Sequence, residues 1–230
     1  MNIEILDEID STNDYLKRKK NKEFDVVLAH KQTKGKGTRG RVWLSTEGVL
    51  MFSFVIKEKK EVPIEEYMKI PLVVGIALLS ALEEIEPLPY MFKWTNDIYL
   101  YDKKLSGILI EKNDEDFIVG IGLNLNILEF GDLNAISLKK ITNKNYEKEN
   151  VVKIVIKKIK EYIYEFYKGN WSMLLNKINE KNYLYGKNVR FIAPNREYNG
   201  VVKGINQKGE IIVEEFGVNY YLNIGEVTSK

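Results

Sequence analysis

The chain has 230 residues, 44% hydrophobic and 30% charged, with a formal net charge of +2, no cysteine and a single histidine, His30. This composition excludes a disordered chain, a global basic field for nucleic acid, disulfides and thiolate chemistry, and leaves His-based triads or His-rich metal sites without material. The longest uncharged stretch, Ile70 to Leu82, is 13 residues, against the roughly 20 of a membrane span, and no basic-then-apolar leader opens the chain, so a cytoplasmic protein is expected.

Charge is segregated along the chain. Residues 1–16 carry five acidic groups and no basic one, whereas residues 17–41 carry ten basic groups against Glu23 and Asp25, a local excess of +8. Asp10-Ser11-Thr12-Asn13-Asp14 reads as a helix start, with Ser11 capping and Asp14 three residues on. A short helix to about Lys20 follows, and Lys17 to Lys22 reads as its solvated end. Asp25 to His30 and Val49 to Ile56 read as buried strands. Tyr67 to Ile85 has helical length and an apolar face, entered through Pro71 and closed by Pro87 and Pro89. Phe92 to Leu100, Leu105 to Glu111 and Phe117 to Leu125 read as successive strands joined by polar turns. Val152, Val155, Ile156, Ile159, Tyr162, Ile163 and Phe166 follow the period of an amphipathic helix. After Gly186 the texture changes to short strands: Val189 to Ile192, Glu197 to Ile205, Glu210 to Glu215 and Asn219 to Ile224, with turn residues at 206–209 and 216–219. This predicts a small barrel closing on itself, and a boundary that divides the chain into 1–184 and 185–230.

Gly35-Lys36-Gly37-Thr38-Arg39-Gly40 matches G-x-G-x-x-G letter for letter. A dinucleotide site needs a helix opening directly from that loop, but Arg41 to Gly48 runs into an aromatic strand. A phosphate-binding P-loop needs Lys and Ser/Thr where Arg41 and Val42 stand. Both readings fail, yet the physics survives them: three glycines let backbone N–H groups approach an anion, and Lys36, Arg39 and Arg41 supply countercharge. Two of the five arginines of the chain sit here, and arginine is the side chain suited to bidentate phosphate contact. By itself the segment reads equally as a flexible basic surface loop.

A second cluster runs Lys93-Trp94-Thr95-Asn96-Asp97, then Lys103-Lys104-Leu105-Ser106-Gly107 to Glu111. Alone, Asn96-Asp97 reads as a turn and Lys104 as a surface lysine. Beyond it, Gly120-Ile-Gly122-Leu-Asn124-Leu-Asn126 sets two amides two residues apart on one face of a strand, where such a pair can satisfy backbone or read a nucleobase edge.

Taken together these segments resemble a biotin protein ligase (biotin–acetyl-CoA-carboxylase ligase), in order along essentially the whole chain. Asp10 to Asn13 is similar to the opening motif of that family, Gln32 to Trp43 to its glycine- and arginine-rich loop, and Lys93 to Asp97 to its Lys-Trp-Pro-Asn-Asp segment. Lys103 to Glu111 is similar to its Lys-Lys-x-x-Gly-Ile-Leu-x-Glu strand, and Gly120 to Asn126 to its Gly-x-Gly-x-Asn segment. The resemblance implies an α+β fold, a mixed β-sheet backed by helices with a small C-terminal SH3-like β-barrel. It implies a two-step reaction in which biotin and ATP give biotinyl-5'-AMP and pyrophosphate, and a lysine of a biotin carboxyl carrier domain then takes the biotinyl group.

Carried over residue by residue, the resemblance places Ser11, Thr12, Asn13, Gln32, Gly35, Lys36, Gly37, Trp43, Lys104 and Gly107 at biotin. It places Lys36, Arg39, Gly40, Arg41, Lys93, Asn96 and Asn124 at ATP, Asp97 at Mg2+, and Lys104, Arg39 and Arg41 in catalysis. Thr95 stands where the family usually has proline, and Thr38 where the loop commonly has arginine, which removes one guanidinium from the lid over the adenylate. The implied partner is the carrier protein, with homodimerisation as an option and no membrane. The motif begins at Asp10, and the nine residues before it are too few for a DNA-reading module, so a monofunctional form without sequence-specific DNA binding is expected. Two rival readings are weaker. A lipoate-type ligase would carry an Arg-Arg-x-Ser-Gly-Gly-Gly signature that is not found. A non-enzymatic RNA-binding module would interleave basic residues with exposed aromatics, but Tyr220-Tyr221 is opposed by Glu210, Glu214, Glu215 and Glu226.

Overall fold

The computed structural model describes residues 3–114 and 116–229. Strand β1 (Ile3–Ile9), unrecognised in the sequence, leads into helix α1 (Thr12–Lys17). Ser11 caps that helix by accepting from the Asp14 backbone N–H, which satisfies one of the donors a helix start leaves free. The helix ends short of the expected Lys20 because Asn21 Nδ2 takes the Leu16 and Lys19 carbonyls at 2.8 and 3.1 Å. Strands β2 (Val26–Gln32) and β3 (Val49–Lys57) follow. Helix α2 (Ile70–Ile85) carries Pro71 in its first turn, where the missing N–H costs nothing. The expected start at Tyr67 is instead a tighter 3-10 segment, Ile64–Lys69.

The strand expected over Phe92 to Leu100 is a hairpin, β4 (Tyr90–Lys93) and β5 (Asp97–Leu100). Asn96 makes the bend. Its carbonyl accepts from Ile108 N–H and its Nδ2 donates to the Ile108 carbonyl, both at 2.8 Å. Strands β6 (Lys103–Asn113) and β7 (Asp116–Asn124) are followed by helices α3 (Leu138–Thr142), α4 (Lys148–Tyr167) and α5 (Trp171–Glu180). Strands β8 (Asn188–Ile192), β9 (Glu197–Ile205), β10 (Ile211–Glu215), β11 (Val218–Leu222) and β12 (Glu226–Ser229) close the chain.

The first seven strands form one mixed sheet in the order β1-β2-β3-β7-β6-β5-β4, in which only β1 and β2 run parallel. Side chains alternate across a strand, and β3 shows what each face does. Leu50, Phe52, Phe54 and Ile56 join the main core with α2 and α4. Val49, Met51, Ser53 and Val55 look the other way, towards α1 and the loop after β2. The functional side of the sheet is therefore the face that α2 and α4 do not cover.

The last five strands form a second, antiparallel sheet in the order β11-β10-β9-β8-β12. The barrel expected from the sequence does not close on itself, because β11 and β12 end the ladder on opposite sides. Its residues share one continuous apolar core with the large sheet, through Val189, Phe191, Val202 and Ile211. Polar contacts add to the join: Trp171 Nε1 donates to Gln207 O at 2.7 Å, and Trp94 Nε1 to Gly209 O at 3.1 Å.

Helix α2 packs so closely on β4 that a Cβ on Gly75 would lie 2.2 Å from the ring of Phe92. In an exposed helix, alanine for glycine gains about 1 kcal/mol. At Gly75 overpacking outweighs that gain, and Gly75→Ala is expected to destabilise the fold by about 1–3 kcal/mol, read as a lower urea midpoint with unchanged slope.

Candidate active site

The floor of the site is made by glycines. Gly120 and Gly122 lie two apart on β7, and Gly107 of β6 pairs directly with Gly122, so three bare positions share one face. A Cβ on Gly120 would sit 2.4 Å from Asn13 Oδ1, and one on Gly122 would sit 2.2 Å from the Trp43 ring. Lys104 reaches the same face through a bulge. Ile98 pairs with Ser106 and Tyr99 with Lys104, so Leu105 is the extra residue. That residue brings Lys104 and Gly107, three apart, to one side of the sheet, with Lys104 Nζ 3.3 Å from where a Gly107 Cβ would be.

One wall is the start of α1. Ser11, Thr12 and Asn13 are all buried, and Thr12 N–H donates to Gln32 Oε1 at 2.6 Å. Gln32 Oε1 is thereby committed, and its Nε2 is left for the cavity. Ser53, in the middle of β3, touches Thr12 Oγ1 and Asn13 Oδ1, each at 2.6 Å. Its signal in the sequence was a lone hydroxyl within the apolar run Val49 to Ile56.

The opposite wall is the glycine-rich loop. Gly37 N–H donates to Arg41 O at 2.7 Å and Trp43 N–H to Gly35 O at 3.1 Å, so the loop is a small closed hairpin. A side chain on Gly35 would clash with the Trp43 carbonyl at 2.4 Å. Trp43 lies on the glycine floor, with Lys104 Nζ 5.6 Å from its ring centroid, a cation–π arrangement. The tip, Thr38–Gly40, places Arg39 at φ 58 and Gly40 at φ 73. Lys36 pairs with Asp14 at 2.6 Å. Arg39 bonds the Gly225 carbonyl and stands 3.5 Å from Glu226, and Arg41 pairs with Glu226 as well. Glu226, at the start of β12, is a site residue with no local signal in the sequence.

Lys104 Nζ is 2.7 Å from Asp97 Oδ1. Lys93 stands over the Tyr99 ring at 5.0 Å, and burial pushes its ammonium pKa down while burial pushes the Tyr99 phenol up to about 12. Asn124 is buried and its Nδ2 donates to Lys104 O at 3.3 Å. Asn126 does not join it. Its amide exchanges hydrogen bonds with the backbone of Tyr146 at 2.8 and 3.0 Å, so the paired-amide reading of a nucleobase edge is corrected to one amide at the site and one in the scaffold.

Three cavities meet here. The first, about 50 Å³, lies among Ser11, Thr12, Asn13, Gln32, Lys36, Gly37, Trp43, Gly107, Gly120 and Gly122. The second, about 400 Å³, is lined by Arg39, Arg41, Lys93, Asn96, Asp97 and Glu226. The third, about 430 Å³, is bounded by Val42, Leu44, Val49, Asn124, Ile127, Phe130, Leu133 and Ala135. Thr38 and Lys104 line all three. The apolar wall from Ile127 to Ala135 was not recognised in the sequence, since it carries no regular period. Gly40 is at the back of the loop rather than in any of these cavities.

A narrow polar recess, a cationic cleft and an apolar cleft joined at one lysine suit an enzyme that brings two anionic substrates together. The sequence profile of the Biotin/lipoate A/B protein ligase family matches residues 5–127, and the chain belongs to that family. The biotin protein ligase from Aquifex aeolicus in complex with biotin and ATP superposes with a TM-score of 0.91 at 33% identity, covering 100% of this chain and 98% of that one. The bifunctional ligase/repressor BirA of Escherichia coli is 26% identical over 94% of this chain and 70% of its own length. The biotin–[acetyl-CoA-carboxylase] ligase of Mycobacterium tuberculosis is 25% identical over 88% of this chain and 77% of its own. Among the described residues no helix is long and apolar enough to cross a membrane.

The loop is held to β12 by exposed ion pairs, which contribute at most about 1 kcal/mol to stability. Glu226→Gln is therefore expected to leave the unfolding midpoint nearly unchanged while freeing the loop, and limited trypsin digestion should cut faster after Arg39 or Arg41.

Proposed function

We propose that the chain is a biotin protein ligase that activates biotin with ATP and transfers it to a lysine of a biotin carboxyl carrier domain. The observation that carries this reading is the position of Lys104, among the described residues the one ammonium that lines all three cavities. The small recess takes the ureido end of biotin. Ser11 and Gln32 Nε2 supply donors to its carbonyl and Thr12 Oγ1 an acceptor for an N–H, within a setting of glycine backbone and Trp43. The carboxylate at the other end then points to Lys104. The apolar cleft of Ile127, Phe130 and Leu133 takes the adenosine, and Asn124 lines its inner end. The α-phosphate meets the carboxylate where the cavities join.

The chemistry follows from charge. A carboxylate oxygen bonds to the α-phosphorus, the bond to the β-phosphate oxygen breaks, and pyrophosphate leaves through the cationic cleft of Lys93, Arg39 and Arg41. Two anions must approach, so fixed cations that follow the charge into the transition state lower the barrier most. Lys104 does this at the carboxylate–phosphate junction. In the second step the carrier lysine enters by the same cleft, its neutral amine bonds to the acyl carbon, the bond from that carbon to the phosphate oxygen breaks, AMP leaves, and the amine proton passes to solvent. The loop over the junction excludes water from a hydrolysable anhydride. ATP as co-substrate agrees with a cytoplasmic setting. In this reading residues 1–184 form the catalytic unit, and residues 185–230 supply, through Glu226, the anchor for its loop.

For Mg2+ the donor set fits one mode only. Among the described residues no group of three metal-ligating side chains occurs, and Asp97 and Glu226 in the cationic cleft are each ion-paired. Asp97 is the one carboxylate there that would hold Mg2+, together with the phosphates of the nucleotide. Bound there, the ion would neutralise phosphate charge.

Biotin-dependent release of pyrophosphate from ATP tests the reading, and its absence in folded protein would refute it. Lys104→Ala is expected to fold normally and to lower that rate by about 10²–10³. Thr38, at the junction of the cavities, leaves the holding of the adenylate to Lys36, Arg39 and Arg41. A guanidinium restored by Thr38→Arg adds one charge-assisted contact, so bound biotinyl-AMP should dissociate about tenfold more slowly in a chase.

A further inference from the structure

The hydrogen bonds behind the small recess run in a single direction, fixed by a carboxylate at its far end. Glu111 pairs with Lys17 at 2.5 Å and takes Asn13 Nδ2 at 2.7 Å. An ionised carboxylate only accepts, so the amide of Asn13 must turn its nitrogen to Glu111 and its oxygen to Ser53, 2.6 Å away. That oxygen also only accepts. The single proton of Ser53 must therefore go to Asn13. Thr12 Oγ1 lies 2.6 Å from Ser53 Oγ, and 3.1 Å from a Gln32 Oε1 that already holds the Thr12 N–H. Two hydroxyl oxygens at 2.6 Å need a proton between them; with the single Ser53 proton at Asn13, that of Thr12 goes to Ser53 at 2.6 Å in preference to Gln32 Oε1, which keeps a second lone pair but lies 3.1 Å away. Ser53 is fully buried behind the recess that Thr12 and Asn13 line, so water does not relieve the constraint at Ser53.

We propose that Ser53 and Glu111 are positioning residues that set ligand specificity. Through Asn13 they turn the proton of Thr12 away from the recess, so that Thr12 presents lone pairs only. Gln32, held by its oxygen, presents only its N–H. The recess then demands a ligand with an N–H and a carbonyl side by side, as in a cyclic urea, and rejects the reversed pattern because it leaves buried groups unpaired. This proposal rests on the ligase reading, and it adds to it two residues that touch no substrate, Ser53 and Glu111, the second paired with Lys17. The space for the relay comes from Gly120, where a side chain would displace Asn13.

Titration calorimetry on the full chain tests it, with biotin and, separately, ATP as the probes, for wild type, Ser53→Ala, Glu111→Gln and the double variant. Glu111→Gln is nearly isosteric at a position whose side chain is 25% exposed and lets the Asn13 amide turn over. Each single change should raise the Kd for biotin about tenfold, the worth of one correctly paired hydrogen bond, and leave the Kd for ATP alone unchanged. The double variant should be no weaker than the weaker single, because both changes break one chain. A roughly hundredfold loss in the double variant would show independent effects and overturn the relay. An unchanged Kd for biotin in Glu111→Gln would overturn it too, as would equal losses for biotin and ATP, which mark a merely structural role. A wild type that binds no biotin would instead refute the ligase reading itself, and the relay with it.

Discussion

The closeness with which three elements approach one bare patch of sheet governs the rest of the molecule. Gly107 and Gly122 face each other across β6 and β7, and Gly120 continues the patch. A methyl group at any of the three would meet Trp43, Lys104 or Asn13 at 3.3 Å or less. Without side chains there, α1 can lower Asn13 to the sheet, the loop can lay Trp43 on it, and Lys104 can fold across it. Packing at this density transmits any change directly to neighbours. The recess, the lid and the central cation are therefore consequences of one constraint, imposed by two strands whose outer faces are otherwise ordinary.

Much of this was legible in the sequence because it is local. The cap at Ser11, the loop of three glycines, and the strands at Val49, Leu105 and Phe117 each announce themselves within a few residues. What escaped is long-range or irregular. Glu226 meets Arg41 across 185 positions of chain, and no window of sequence contains both. Strand β1 reads Ile-Glu-Ile-Leu-Asp-Glu-Ile, which lacks clean alternation. It is held at the sheet edge by its parallel pairing with β2 and by pairs such as Glu4–Lys19 and Glu8–Lys31. The hairpin within Phe92 to Leu100 was half legible: Asn96-Asp97 reads as a turn, but the bond from Asn96 to Ile108 that fixes the bend lies 12 positions away. Lys104 could be singled out by motif, but not the bulge at Leu105 that aims it.

The same comparison separates motif from role. Asn124 and Asn126 look equivalent in sequence, two residues apart, yet β7 ends between them and the second amide serves the backbone of Tyr146. Ser53 looks like an exception in an apolar strand, yet it carries the polarity of the recess. A buried polar group without a local partner usually answers to something distant in sequence. Here the partners of Ser53 lie 40 and 41 positions away.

Electrostatics completes the picture. The near-neutral chain pairs most of its site cations: Lys104 with Asp97, Lys36 with Asp14, and Arg39 and Arg41 with Glu226, while Lys93 rests on the Tyr99 ring. These carboxylates relieve repulsion among cations that would otherwise crowd one junction. Partly exposed pairs of this kind are worth at most about 1 kcal/mol, whereas a charge-assisted bond to phosphate contributes about 1.5–3 kcal/mol. In the proposed reaction an arriving triphosphate would therefore exchange with the internal carboxylates downhill. The exchange is least costly at the arginines, which are 46 and 58% exposed, and stiffer at Lys104, which is 31% exposed over Trp43. The gradient assigns different duties to cations of the same sign. The arginines sit exposed on the loop, whereas Lys104 is held between bulge, indole and Asp97; in the proposed reaction that fixed position suits the cation at the carboxylate–phosphate junction.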